Sequence, residues 1–460
     1  MQDKDLYSQI LGIREPWRVD RVELDLKQGE VNVHLTQDAG THWPCAECGT
    51  ACALYDHQPE RRWRHLDTCQ YRTILHASPP RSNCAEHGVR SVKLPWAEPS
   101  SRFTALFERL AIDWMRVASQ KAVGDQLHLS WDEVHAIQER AVARGLSRRQ
   151  TETIRHLGVD EKAFTRGHRY FTLVNDLDRS RVLYVAENRT ESSLDGFWAG
   201  LSEAQVEAVE AVAMDMWDPY INSTLSHLPD AGRKIVFDKF HIAKHLSEAV
   251  DLVRRRENKQ LRAAGDDRLT GTRYDWLRHP AKMEPRDRRE FAALRGSALK
   301  TARAWALKES MMAFFGYFYE RPARKHFRWW HNWAQRSRLL PMMEKARMIK
   351  RRFENIVTYL KHRITNAASE SINSKIQWVK YTARGFRNKT NFVTAIYFHC
   401  GGLDLMPATH SNPLMPKKGN RMNRYFHVAH PRLARNGSSR GSRAYNALYG
   451  EAKMETPAEI

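Results

Sequence analysis

Leu157-Gly158-Val159-Asp160-Glu161-Lys162 sets an acidic residue inside an apolar strand, in a chain that is otherwise strongly basic. A carboxylate in such a strand needs a partner, because burying it alone is costly. Working outward, the turn Arg166-Gly167-His168 leads to a strand from Tyr170 to Val174, and Asp176-Leu177-Asp178-Arg179 leads to another from Val182 to Val185. Three strands joined by short turns predict an antiparallel meander. Leu194, Phe197, Trp198 and Leu201 then recur at i, i+3, i+4 and i+7, the spacing of an amphipathic helix. A strand ending at Asp215, a helix near 219–228 and the strand Lys234-Ile235-Val236-Phe237-Asp238 complete the segment.

The order βββαβαβ is that of the ribonuclease-H-like fold, whose first and fourth strands lie side by side. Asp160 and Asp215 are then expected to meet although 215 − 160 = 55 residues separate them. Mg²⁺ takes oxygen ligands and keeps several waters, so a few carboxylates plus substrate phosphate hold it. Two such ions about 4 Å apart serve an in-line phosphoryl displacement. Asp238 competes with Asp215 for the second position, or caps the helix that starts at Phe240. His241 is placed either to contact phosphate or a metal-bound water, or to pack its helix. A third acid, Glu370, opens a helix over 367–379. Ala368, Ile372, Ile376 and Val379 share one face of it, and Glu370, Asn373, Ser374 and Gln377 share the other.

Composition agrees with a nucleic-acid substrate. Lys and Arg number 74 against 53 Asp and Glu, a net charge of +21. The corresponding pI of about 9.8 is the footprint of a phosphate-binding surface. The N-terminus has no secretory pattern, and the longest apolar stretch, Met311 to Tyr319, is far short of the roughly 20 residues that span a bilayer. A cytoplasmic protein without a membrane partner is expected. In that compartment paired cysteines more often bind metal than form disulfides.

Cys45-Ala46-Glu47-Cys48-Gly49 and Cys84-Ala85-Glu86-His87-Gly88 are two such pairs. Each is a two-spacer knuckle with a following glycine, and together they offer the four ligands of a structural Zn²⁺. A hairpin of 61–66 and 71–75 is expected to bring them together. Cys52 or Cys69 could replace one ligand, and Cys400 reads as a core residue. Val22, Leu24 and Leu26 alternate as one face of an opening strand. Further on, Leu106, Leu110 and Trp114 mark a helix, and Ser130 with Glu133 predicts a capping box at the start of another, after a short break behind 120–127. Two helices around such a turn fit a helix-turn-helix. From 245 to 359 the pattern is helical and cationic, with Trp305, Trp329, Trp330 and Trp333 as candidates for stacking on bases.

Trp63-Arg64-His65-Leu66-Asp67, Gly158 to Lys162, Asp215-Met216-Trp217, Phe237 to His241, and Thr365-Asn366 through Glu370 and Asn373 to Gly385-Phe386-Arg387-Asn388 follow one another in the order seen in a known family. Over residues 10–405 the chain resembles the ISL3 family of bacterial DDE transposases. The resemblance implies an α/β multidomain protein in which a ribonuclease-H-like catalytic core, interrupted by an all-α insertion, follows a zinc-binding module and a helix-turn-helix. The expected boundaries are 1–97 for the zinc-binding β module, 98–150 for the helix-turn-helix, 151–245 and 356–405 for the two parts of the core, 246–355 for the insertion and 406–460 for a basic tail. It further implies Asp160, Asp215 and Glu370 as catalytic ligands of two Mg²⁺ (or Mn²⁺) ions, and Zn²⁺ on Cys45, Cys48, Cys84 and His87. Arg64, Gln138, Lys375, Lys380, Arg384 and Arg387 are the expected DNA contacts. The partners would be double-stranded DNA, as terminal inverted repeats and target, and further copies of the chain in a dimer or larger assembly. A non-catalytic DNA-binding regulator and a nuclease of the same fold are the competing readings.

Overall fold

The structure, a computed structural model, describes residues 3–165, 169–237, 239–278, 283–364 and 366–408. Asp238, the turn at 166–168, Thr365 and the basic tail from 409 onward lie outside the described residues.

The strand that carries Asp160, His156–Thr165, is the middle of a five-stranded sheet. Its companions in chain order are Arg169–Asp176, Arg181–Glu187, Ala211–Met214 and Ile235–Phe237, and the order across the sheet is third, second, first, fourth, fifth. The first three strands are antiparallel, whereas the fourth runs parallel to the first and the fifth parallel to the fourth. Antiparallel neighbours need only a tight turn, but a parallel return needs a crossover, here supplied by the helices Glu191–Ala199 and Glu203–Glu207.

Side chains alternate across these strands and so divide the packing into two layers. Leu157, Val159 and Val174 face a core shared with Leu194, Phe197, Trp198, Tyr220 and the long helical segment. Phe164, Phe171, Leu173 and Val182 face the opposite way, onto Ile372, Ile376, Phe392 and Ile396 of the helices Ala367–Thr382 and Lys389–Cys400. Cys400 is buried in this second layer, as its reading as a core residue requires.

Between the fifth strand and the helix Ala367–Thr382, the described residues form helices and no strand. Their hub is Lys239–Ala263, which buries Ile242, Leu246, Ala249, Val250 and Val253 at helical spacing. Glu257 on this hub accepts from Lys300 N and Thr301 N at 2.7 Å each, so one carboxylate satisfies two orphan donors where the next helix begins. Of the four tryptophans singled out here, Trp305 and Trp330 are buried, while Trp329 is 57% exposed.

The N-terminal module packs Trp17, Trp43, Trp63 and Trp96 beneath a four-stranded sheet ordered Trp17–Asp25, Glu30–Gln37, Arg72–Ala77, Arg61–Arg64. The alternation of Val22, Leu24 and Leu26 identifies the first strand and its inner face: Val22 and Leu24 pair with the buried Val33 and Val31, although Leu24 and Leu26 are themselves exposed. A bulge between Val19 and Arg21 adds one residue, so the inner face passes from Trp17 and Val19 before it to Val22 after it. Three helices follow: Ala105–Met115, Gln120–Leu127 and Trp131–Ser147. The capping box at Ser130 is present, with Glu133 N donating to Ser130 Oγ and Ser130 N to the Glu133 carboxylate. On the first helix, Phe107, Ala111, Ile112 and Met115 form the buried stripe, while Trp114 is exposed, so the stripe lies one position away from Leu106, Leu110 and Trp114. No described helix is long and apolar enough to cross a membrane.

Candidate functional site

The parallel pairing of the first and fourth strands sets His156 against Ala211 and Gly158 against Ala213. That register offset, 211 − 156 = 55, is also the separation of Asp160 and Asp215, so the register extended past Gly158 sets Asp160 level with Asp215 just beyond the end of the fourth strand. Their mutual repulsion is visible in the chemistry. Burial pushes the Asp160 carboxyl up to about 7, and the negative charges of Asp215 and Glu161 push the same way. A bond from Glu161 N to Asp160 Oδ1 at 2.8 Å works against that shift. Glu161, on the next register position, is also raised, by burial first and then by Asp215, with Arg189 opposing. His241 Nε2 lies 2.7 Å from Asp215 Oδ1.

Glu370 lies in the first turn of Ala367–Thr382. Gly158 is what lets that turn come so close: a Cβ there would stand 2.5 Å from Ser369 Oγ, 2.6 Å from Leu177 Cδ2 and 2.9 Å from Asn366 Oδ1. Asn175 Nδ2 donates to Ser369 Oγ at 3.0 Å, which fixes the same turn to the second strand. One turn beyond Glu370, Asn373 Nδ2 donates to Asp160 Oδ2 at 2.7 Å. The helix face that carries Glu370 is thereby bonded to Asp160. The three carboxylates do not all come within 4.8 Å of one another, as the zinc ligands do. Asp160 and Asp215 on adjacent strands, the first raised to about 7 mainly by burial, offer oxygen donors that suit a hard divalent cation. Asn373 was legible in the sequence as lying on the Glu370 face; its bond to Asp160 was not. Gly158 entered the sequence reading only as part of the stretch Gly158 to Lys162, without a role, and Asn175 carried no sequence signal.

Basic residues near this helix divide into free and engaged. Lys375, Arg384 and Arg387 are exposed. Lys380 instead donates to the carbonyls of Ala163 and Phe164 at 2.9 Å each, and burial lowers its pKa. Two expected DNA contacts are corrected by their packing. Arg64 pairs with Asp67, lies over the Phe107 ring at 5.2 Å and is only 10% exposed. It joins the β module to the first helix instead. Gln138 is 3% exposed and accepts from Gln120 Nε2 at 2.7 Å, so its amide ties two helices together.

Cys45, Cys48, Cys84 and His87 form one cluster, with ligand atoms within 4.8 Å of one another. Cys48 Sγ lies 3.7 Å from Cys84 Sγ, and His87 Nδ1 lies 3.7 Å from Cys84 Sγ and 4.0 Å from Cys45 Sγ. Zinc–sulfur bonds of about 2.3 Å in a tetrahedron give edges of nearly that length. The hairpin Arg61–Arg64 with Arg72–Ala77 is present, but what joins the knuckles is the pairing of Leu54–His57 with Pro80–Cys84. Cys52 is buried beside the cluster, 3.2 Å from Thr50 O, and is not among its ligands.

Comparison with known proteins agrees with this order of parts. A family model described as "zinc-finger of transposase IS204/IS1001/IS1096/IS1165" matches residues 41–87, one described as "Helix-turn-helix domain of transposase family ISL3" matches 92–142, and the ISL3 DDE model described as "Transposase" matches 157–396. The transposase for insertion sequence element IS1557 of Mycobacterium tuberculosis is 29% identical over 444 residues, covering 90% of this chain and 99% of that protein. The transposase for IS1001 of Bordetella parapertussis is 26% identical over 403 residues, 86% of this chain and 98% of its own length. With a zinc clip, a helix-turn-helix and the DDE segment in that sequence, matched over more than half its length, the chain belongs to the ISL3 family of DDE transposases.

Proposed function

We propose that this transposase cuts and joins DNA at a two-metal site built from Asp160, Asp215 and Glu370, on a ribonuclease-H-like core that resumes after an all-α insertion. The observation that carries the reading is the Asn373–Asp160 bond, which ties the Glu370 helix to the strand pair bearing the two aspartates. Divalent Mg²⁺ held there would supply Lewis acidity at the scissile phosphate. The chain's own residues do the rest. Asn373 and Glu161 N fix the Asp160 oxygens, and His241 steadies Asp215. Lys375, Arg384 and Arg387 lie beyond Glu370 on the same stretch and suit the phosphate backbone, where cations give affinity without reading sequence. In this reading water frees a 3′-hydroxyl at each element end and that hydroxyl attacks target DNA, with two or more copies of the chain holding the paired ends. Zn²⁺ on the N-terminal clip is structural. The proposed units are residues 1–97, 98–150, 151–245 with 356–405, and 246–355.

The test supplies the full chain with a plasmid carrying the element's terminal inverted repeats and Mg²⁺. Asp160→Asn, Asp215→Asn and Glu370→Gln should each lower cleavage and strand transfer by about 10³-fold, the equivalent of several kcal/mol of lost charge stabilisation. Terminal-repeat binding should persist. Wild-type rates in any one of the three would remove that acid from the site.

A further inference from the structure

The sheet of the N-terminal module carries a second group of ligand atoms, away from the cysteines. His34, Glu60 and His76 each offer one donor, all within 4.8 Å of one another. Parallel pairing brings the two histidines together: His34 on Glu30–Gln37 is in register with His76 on Arg72–Ala77. Their rings stack with centroids 4.5 Å apart and planes at 22°. Glu60 sits just before the strand Arg61–Arg64, on the far side of His76.

The surroundings of His76 suit a cation as well as a proton. His76 Nε2 lies 2.8 Å from Asn32 Oδ1, and its Nδ1 lies 3.0 Å from Glu60 Oε1. Both neighbours are oxygen acceptors, so a neutral ring donates to only one of them, and the other contact takes either a second ring proton or a cation. A ring nitrogen that donates to a carbonyl oxygen while its partner nitrogen points at a carboxylate is also the usual dress of a metal-bound histidine. Arg21 is already paired with Glu23 at 2.8 Å, though it approaches His34 Nε2 at 3.5 Å.

We propose that His34, Glu60 and His76 form a second metal site, for a borderline divalent cation such as Zn²⁺. Two imidazoles and one carboxylate are a donor set for zinc rather than for Mg²⁺, with a fourth position open to water or to Glu23, whose Oε2 lies 3.5 Å from His34 Nε2. Binding turns the His34 ring out of its stack so that both imidazole edges meet the ion. The site then cross-links three strands of the sheet that stands beside the zinc clip.

The test uses the full-length protein loaded with Zn²⁺, dialysed and assayed for metal content. About two equivalents per chain are expected for the wild type, and about one for Glu60→Gln and for His76→Gln. Loading with Co²⁺ separates the sites: the cysteine clip gives thiolate-to-cobalt charge transfer, and this site gives only d–d absorption. In Glu60→Gln the d–d contribution should fall while the thiolate band stays, which also reports that the module is folded. One equivalent in the wild type, unchanged in both variants, would overturn the proposal and leave a proton between His76 and Glu60.

Discussion

The zinc clip and the carboxylate site both assemble ligands from separated segments, but they do so by different means. In the clip, two knuckles each contribute two ligands from a four-residue run, and one strand pairing closes them into a tetrahedron. At the proposed carboxylate site each acid comes from its own element, and three contacts join those elements: a parallel register, a glycine-sized gap and one asparagine. A clip made of local pairs can fail only by losing its metal. A site made of single residues can fail wherever its supports fail. The acids also repel one another, so the fold has to hold them against their own charge.

The largest difference should come from the clip. Cys84→Ser removes one of four ligands, and structural zinc contributes about 10 kcal/mol or more of apparent binding energy. Zinc content should fall and residues 41–97 should become sensitive to protease, with terminal-repeat binding lost. A variant that keeps its zinc and its protease resistance would mean that Cys52 had taken the vacant position.

A smaller effect, of opposite sign, is expected at Asp160. Its ordinary value of 3.8 is raised to about 7, mainly by burial. Stability from the neutral form is fully present below about pH 4 and is lost as pH rises through 7. The shift is about 3 units, at about 1.36 kcal/mol each, so metal-free Asp160→Asn should exceed wild type by up to about 4 kcal/mol above pH 7. The gap should close toward pH 4. Denaturant melts across that range decide it, and a wild type whose stability is flat with pH would contradict the burial of this charge.

Gly158→Ala probes the supports. Its Cβ meets three groups of the Glu370 turn and its neighbour at under 3.0 Å, so the turn has to move. Overpacking of this kind costs about 1–3 kcal/mol. Strand transfer should drop by more than the stability loss explains, because Glu370 moves with the turn. Equal losses of stability and of activity in the folded fraction would show that the turn's position is not what limits the reaction.

Much of this was legible in the residues. Strand lengths, the meander, the capping box at Ser130 and the two knuckles rest on local spacing, and local spacing is what a sequence displays. Arg64 and Gln138 show where it stops. Both stand in stretches that look made for DNA, yet one packs on Phe107 and the other bonds Gln120, and neither neighbour is close in the chain. The alternation of Val22, Leu24 and Leu26 marks the inner face of the first strand, but not the bulge that puts Trp17 and Val19 on that face too.

The sequence by itself determined which elements form, which residues can hold zinc, and that a few acids stand at strand and helix ends of a strongly basic chain. It did so because periodicity, ligand spacing and charge are properties of neighbours along the chain. Only the tertiary structure decided that Asp160 and Asp215 stand level, that Asn373 ties the Glu370 helix to them, and that His34 meets His76. Those relations depend on strand register and on how closely two backbones approach, which are set by packing across the sheet and leave no mark on any single stretch of sequence.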